Sequence, residues 1–166
     1  MSALPGNRPS ADEVRSLNRA LDEQLRLLFG RIRPEDLLRS PGDGEWSLAE
    51  NLAHLAEFPG YFARQLHQWI AGQRTVVGRV AEHSADRNDA IARAGDRPLT
   101  ELLADFEASV DELAEALGGL RDDHLDTPTV NVKYGEEPLR AFLTRYVLGH
   151  KEAHIAQLGS ALPAVS

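Results

Sequence analysis

His150 and His154, in the run Gly149-His150-Lys151-Glu152-Ala153-His154, are the two side chains of this sequence whose type and spacing most directly suggest chemistry. At about 100° per residue they stand one turn apart on one face of a helix. That face is apolar: Leu139, Leu143 and Val147 lead up to it, and His150 falls close to the centre of their stripe. Two imidazoles so placed can put two nitrogens on one ion, and imidazole suits Zn, Ni, Cu or Fe. The alternative is a pair of core histidines, each hydrogen-bonded to a neighbour.

The run is not the His-Glu-x-x-His motif of zinc proteases, in which a glutamate follows the first histidine directly. Here Glu152 lies about 200° around the helix from His150, so it cannot act as that motif's general base. The sequence contains no cysteine, which removes disulfides, thiolate nucleophiles and cysteine-based zinc sites. Any further ligand must come from another element. His54 lies about 120° from the centre of the Leu48/Leu52/Leu66 stripe, at its flank near Asn51, Phe58 and Tyr61. Pattern alone does not favour it as a ligand. His67 reads as a partly exposed histidine, and His83 and His124 as solvated loop residues.

The elements that position these groups read as four amphipathic helices. The first runs from about Ala11 to Gly30, opened by the capping box of Ser10 and Glu13, with Val14, Leu17, Leu21, Leu25 and Leu28 on one face. The second runs from Leu48 to about Ala71, opened by Ser47 with Glu50 and interrupted by Pro59, where a kink is expected. The third runs from Leu99 to Leu117 behind Pro98 as its first helical residue. Gly118-Gly119 supplies its positive-φ stop. The fourth opens at Pro138 and ends near Leu162-Pro163. Between them, Asp86–Ala94 reads as a short helix, and residues 129–132 as extended but without an evident strand partner. The joints of about 16 and about 26 residues exceed the usual 2–8 of helix pairs in bundles, so at least one connection crosses the bundle. The fold class is therefore an all-α four-helix bundle, formed by one domain over residues 1–166 with its core in about 10–162.

Composition narrows the function classes. Eighteen Lys+Arg against 26 Asp+Glu give a net charge of −8, which argues against a nucleic-acid binder and gives no attraction to anionic lipid. The first residues lack the apolar core of a signal peptide, and no run approaches the ~20 apolar residues of a membrane span. A cytoplasmic protein is expected.

The block Glu45-Trp46-Ser47-Leu48-Ala49-Glu50-Asn51-Leu52-Ala53-His54-Leu55, followed far along the chain by His150-x-x-x-His154-x-x-Gln157, resembles the DinB/YfiT-like superfamily. Pro41 ahead of the first block and Pro98-Leu99 at the third helix fit the same pattern, and the likeness spans roughly Ser10 to Leu158. The resemblance implies up-down-down-up connectivity, with the long crossover between the second and third helices. It implies a divalent metal, zinc or nickel, held by three histidines that map onto His54, His150 and His154. It also implies a homodimer. Members of the superfamily include thiol-dependent transferases and isomerases and metal-dependent hydrolases. The second domain that extends the mycothiol-dependent maleylpyruvate isomerases is not evident here.

A three-ligand site with an open position is the catalytic pattern, whereas structural zinc is closed by four ligands. The open position would take water or a thiolate, and the thiol must come from a cosubstrate because the chain has no cysteine. Glu57, Tyr61 and Gln157, with Glu50, are the groups near enough in sequence to orient an imidazole or move a proton. The plainer role of Glu50 is its cap, and that of Glu57 is a solvated carboxylate. Three readings follow: a metal-dependent thiol S-transferase or hydrolase acting on a small molecule; a non-catalytic stress or binding protein in which the metal is structural; and a bundle without metal.

Overall fold

The computed structural model describes residues 8–162, so the readings of the first residues and of Pro163 lie outside the described part. In chain order the helices are α1 (Ala11–Phe29), α2 (Leu48–Ile70), α3 (Ala85–Arg93), α4 (Leu99–Gly118), α5 (Asp122–Leu125), α6 (Leu139–Phe142) and α7 (His150–Ala161). A π-helical stretch, Leu143–Gly149, joins α6 to α7, so that residues 139–161 form the fourth long helical segment. Both capping boxes form: Ser10 with Glu13 and Ser47 with Glu50. At α2 the Glu50 N–H donates to Ser47 Oγ at 3.2 Å, and the Ser47 N–H donates to Glu50 Oε2 at 2.6 Å. Glu50 is thereby spent on the cap.

Side-chain pairs give the direction of each helix. Arg15, near the start of α1, donates to the Leu117 and Leu120 carbonyls at the end of α4, while Phe29 meets Phe106 nearer the start of α4, so these two run antiparallel. The Gly60 N–H of α2 donates to Ser109 Oγ at 2.7 Å, and Arg64 lies 3.6 Å from Glu112. Partners advance together along both chains, so α2 and α4 are parallel. His54 faces His150 and His154, whereas Phe62 faces Phe142, so the fourth segment is antiparallel to α2. The connectivity is up-down-down-up, with the crossover between α2 and α4. Helix α2 continues through Pro59, and the N–H that follows it is the one that bonds Ser109.

Three local expectations are corrected. Residues 129–132 do find partners: β2 (Pro128–Asn131) pairs in parallel with β1 (Val76–Val77) and antiparallel with β3 (Gly135–Pro138). This small sheet ties the crossover to the connection before the fourth segment. Its junction is fixed by Gly78 at φ 96°, whose N–H and carbonyl both bond the buried Gln65 amide. Pro98 is the cap residue ahead of α4, not its first helical residue, and Gly119 ends α4 at φ −83°, without a left-handed turn. A Cβ on Gly119 would lie 3.5 Å from Ile70, so close approach to α2 is the more direct reason for a small residue there.

The third correction moves the register of the fourth segment. A π-helical insertion adds one residue to the turn and so sets the following face back by about 100°. Lys151 thus takes the place at the centre of the buried face that a straight helix would have given His150. Lys151 is 0% exposed and Leu158 follows it in the core, while His150 is turned to the flank that meets α2. Glycine permits this widening: a Cβ on Gly149 would stand 3.0 Å from the Thr144 carbonyl oxygen.

Candidate metal centre

His54 reaches the core because the first half of α2 is enclosed by its neighbours, whereas Arg64, His67 and Gln68 further along are exposed. Helix α4, the crossover and the fourth segment pack around that first half, so its buried arc takes in Asn51, Ala53, His54 and Phe58 as well as the leucine stripe. His54 is 3% exposed and His154 is 7% exposed. Their rings and that of His150 meet with all three centroid separations at 4.9 Å. One nitrogen from each lies within 4.8 Å of the other two, and His54 Nε2 is 2.9 Å from His150 Nε2.

The neighbours hold these rings by packing rather than by hydrogen bonds. Phe58 stacks on His150 at 4.3 Å with an interplanar angle of 8°, and the Trp46 ring meets His54 edge-on at 5.2 Å. The buried Nδ1 atoms of His54 and His154 have no hydrogen-bond partner among the described residues. The nitrogen that His54 turns to the cluster is Nε2, which meets a second imidazole nitrogen and not a carboxylate or carbonyl. Three imidazole nitrogens converging on one another, with no carboxylate among the described residues in the group, form a donor set that fits a cation. In a tetrahedral zinc site, nitrogens about 2.0–2.1 Å from the ion lie about 3.4 Å apart. The His54–His150 nitrogen pair at 2.9 Å and the 4.8 Å that bounds all three pairs bracket that spacing.

Electrostatics favours the ligating form. Burial first, then His150 and His154, then Arg79 and Arg87, push the His54 pKa down to about 2. Burial, then His154 and the same arginines, lower His150 to about 4, and burial lowers His154 to about 4. All three imidazoles are neutral at pH 7 in the fold, which is the state that ligates metals.

The other sequence candidates are placed less directly. Glu57 Oε2 is 4.0 Å from His54 Nδ1, too far for a hydrogen bond, and its carboxylate is clamped by Arg79 at 2.6 and 3.0 Å. Tyr61 lies under that same guanidinium, 4.1 Å from ring centroid to Arg79 Cζ. Gln157 lines a cavity of about 500 Å³ together with Trp46, His54, His150 and His154. A second cavity, about 430 Å³, meets His54 and His150 from the side of the crossover. His67 and His83 are exposed, and His124 caps α5 by accepting the Arg121 N–H.

Residues that sequence reasoning did not single out surround the cluster: Phe58, Arg79, Arg87, Lys133 and Tyr146. The arginines and the lysine sit in the crossover and in the β2–β3 turn, where no periodicity marks a face. A signal lay only in Gly78-Arg79, a turn residue followed by a cation.

Residues 16–158 match the DinB superfamily, and the chain belongs to it. The fold also matches solved structures. A mycothiol-dependent maleylpyruvate isomerase aligns with a TM-score of 0.72 at 18% identity over 95% of this chain. The chain spans 62% of the length of that isomerase. YfiT from Bacillus subtilis, described as a probable metal-dependent hydrolase with an unusual four-helix bundle topology, aligns with a TM-score of 0.72 at 16% identity over 91% of this chain and 85% of its own. A Streptococcus pneumoniae protein aligns with a TM-score of 0.72 at 13% identity, over 95% and 93% of the two chains. At these identities the likeness establishes a shared fold. No curated protein matches the chain by sequence. Among the described residues, no helix is long and apolar enough to cross a membrane.

Proposed function

We propose that this protein is a metal-dependent enzyme acting on a small molecule, a thiol-dependent S-transferase or a hydrolase, with a divalent ion held by His54, His150 and His154. The observation that carries this reading is the convergence of three neutral imidazoles, two buried and one half-buried, beside two cavities. A divalent ion there, zinc or nickel, would supply Lewis acidity, lowering the pKa of a group bound to it or holding a thiol as thiolate.

The chain's own residues account for the rest. Phe58 and Trp46 fix the planes of His150 and His54. The Arg79–Glu57 pair closes the α2 side of the site and withholds Glu57 from acid–base work in this arrangement. Gln157 is the uncharged polar side chain that faces the larger cavity. A purely structural metal is the second reading, but structural sites are closed by a fourth protein ligand. Among the described residues, no fourth histidine or carboxylate joins the cluster.

The same reading takes residues 1–166 as one domain, acting in the cytoplasm as a homodimer, for which the family resemblance is the support. Light scattering tests the dimer, with about 36.6 kDa expected as twice 18.3 kDa. The metal reading is tested on protein purified without an affinity tag. About one equivalent of zinc or nickel by elemental analysis is expected, and turnover with low-molecular-weight thiols separates the enzyme from the structural reading. No metal in the isolated protein and no uptake at pH 7.5 would defeat the proposal.

A further inference from the structure

The cavity on the crossover side of the histidines is lined by three cations, Arg79, Arg87 and Lys133, together with Ser84, Phe62 and Tyr146, and by no carboxylate. The cations are not equivalent. Arg79 is committed to Glu57 and to the face of Tyr61. Lys133 is exposed at the rim, 5.5 Å from the Tyr134 ring. Arg87, on α3, makes hydrogen bonds among the described residues only to the side chain of its neighbour Asn88, at 3.4 and 3.3 Å. Among the described residues it has no carboxylate partner. It also lines the larger cavity, with Glu45, Trp46 and the histidines, so Arg87 borders both openings onto His54 and His150. Its position beside the cluster is echoed in its contribution to the lowered pKa values of both histidines.

A half-buried guanidinium without a counter-charge, in a chain of net charge −8, is conspicuous. Its planar fork is suited to carboxylate or phosphate oxygens. Helix α3 is polar, with no buried residue of its own, so packing does not explain the arginine.

We propose that Arg87 anchors an anionic oxygen group of the substrate, so that the site takes a small acid, presenting one group to the metal and a second, negatively charged one to Arg87. This rests on the metal reading above. Lys133 adds charge at the rim and draws such a molecule in. Arg79, neutralised by Glu57, forms the wall behind it.

The test uses the full chain loaded with cobalt(II), whose visible absorption reports ligands entering its coordination shell, titrated with succinate and with succinamate. Both offer a carboxylate to the metal, but only succinate keeps a second charge. The wild type should bind succinate about tenfold or more tightly than the half-amide, the size of effect expected of a charge-assisted hydrogen bond. Arg87→Gln should abolish the preference, Arg87→Lys should restore part of it, and Arg93→Gln, at the other end of α3, should leave it intact. 3-Phosphonopropionate identifies the anion: binding tighter than succinate in the wild type, and lost in Arg87→Gln, assigns a phosphate, and weaker binding assigns a carboxylate. Normal cobalt uptake with equal affinities for succinate, succinamate and the phosphonate, or a preference that survives Arg87→Gln, would overturn the role of Arg87 and leave the metal site standing. Failure to take up cobalt at all would overturn both.

Discussion

Lys151 reaches from α7 to α1 and places its Nζ 2.5 Å from Asp22 Oδ1 and 2.6 Å from Asn18 Oδ1, at a point where the lysine is 0% exposed. Burial raises the Asp22 pKa and lowers that of Lys151, and the attraction between the two opposes both shifts. The pair lies one residue from His150. It fixes the rotation of α7 and hence the direction in which both histidines of that helix point. Removing one partner strands the other charge in the core, at a cost of about 3–5 kcal/mol. Asp22→Ala should therefore lower stability by that order in urea unfolding, and metal affinity with it. The double variant Lys151→Met/Asp22→Leu should recover part of the stability, because no charge is then stranded, although the buried Asn18 amide loses both of its partners. A double variant as unstable as the single one would show that the pair is not the unit described.

His54→Ala, His150→Ala and His154→Ala should each weaken binding of a divalent ion by roughly 100-fold or more, since loss of a mere supporting contact costs 10–100-fold. His67→Ala and His83→Ala, both at exposed positions, should bind as the wild type does. Calorimetric titration with zinc at pH 7.5 checks this. Equal losses across all five variants would end the three-histidine assignment.

The metal-free protein should lose stability as the pH falls below about 6.5. In the unfolded chain each histidine titrates near 6.5, but in the fold His54 is held to about 2, and His150 and His154 to about 4. Between pH 6.5 and 4 the unfolded state therefore binds protons that the folded state does not, and unfolding is favoured. This histidine contribution is fully present above pH 6.5. Urea midpoints of chelator-treated protein should be lower at pH 5.5 than at 7.5, and the difference should be smaller in His54→Ala. An unchanged midpoint would contradict the buried neutral state. While the fold persists, protons should displace the ion only near pH 4, well below the pH 6 that the free imidazole value suggests.

The bundle was legible because its stripes are long and its starts are written in side chains: Ser10 with Glu13 and Ser47 with Glu50 form the caps that their spacing announces. The sheet was not, because β1 is two residues long and its partner β2 lies more than fifty residues away, a pairing with no local signature. The histidine pair was visible as two imidazoles on an apolar helix, but for a partly mistaken reason. The π-helical stretch, which no residue pattern marked, gives the central position to Lys151 and turns His150 toward α2. His54 was undervalued by helical-wheel arithmetic because that arithmetic assumes one buried stripe, and the first half of α2 is enclosed on almost every side. Its proposal as a ligand came from resemblance, and the structure places its ring beside those of His150 and His154.

Gly149 and Gly159 make the register argument testable, since both lie in the fourth helical segment and differ in what a methyl group would meet. At Gly159, which is exposed, a Cβ finds nothing within 4 Å. Gly159→Ala should stabilise the protein by about 0.5–1 kcal/mol, the ordinary gain of alanine over glycine in a helix. At Gly149 the same Cβ would stand 3.0 Å from the Thr144 carbonyl oxygen, which belongs to the widened turn. Gly149→Ala should forfeit that gain. It should also lower zinc affinity several-fold without touching a ligand, because relief of the contact alters the turn that sets the angle of His150 and His154. Urea unfolding and zinc titration of the two variants, side by side, decide the matter. If Gly149→Ala is as stable as Gly159→Ala and binds zinc as tightly as the wild type, the π-helical stretch is not what aims the histidines. A loss confined to Gly149→Ala, in both measurements, is the result the geometry requires.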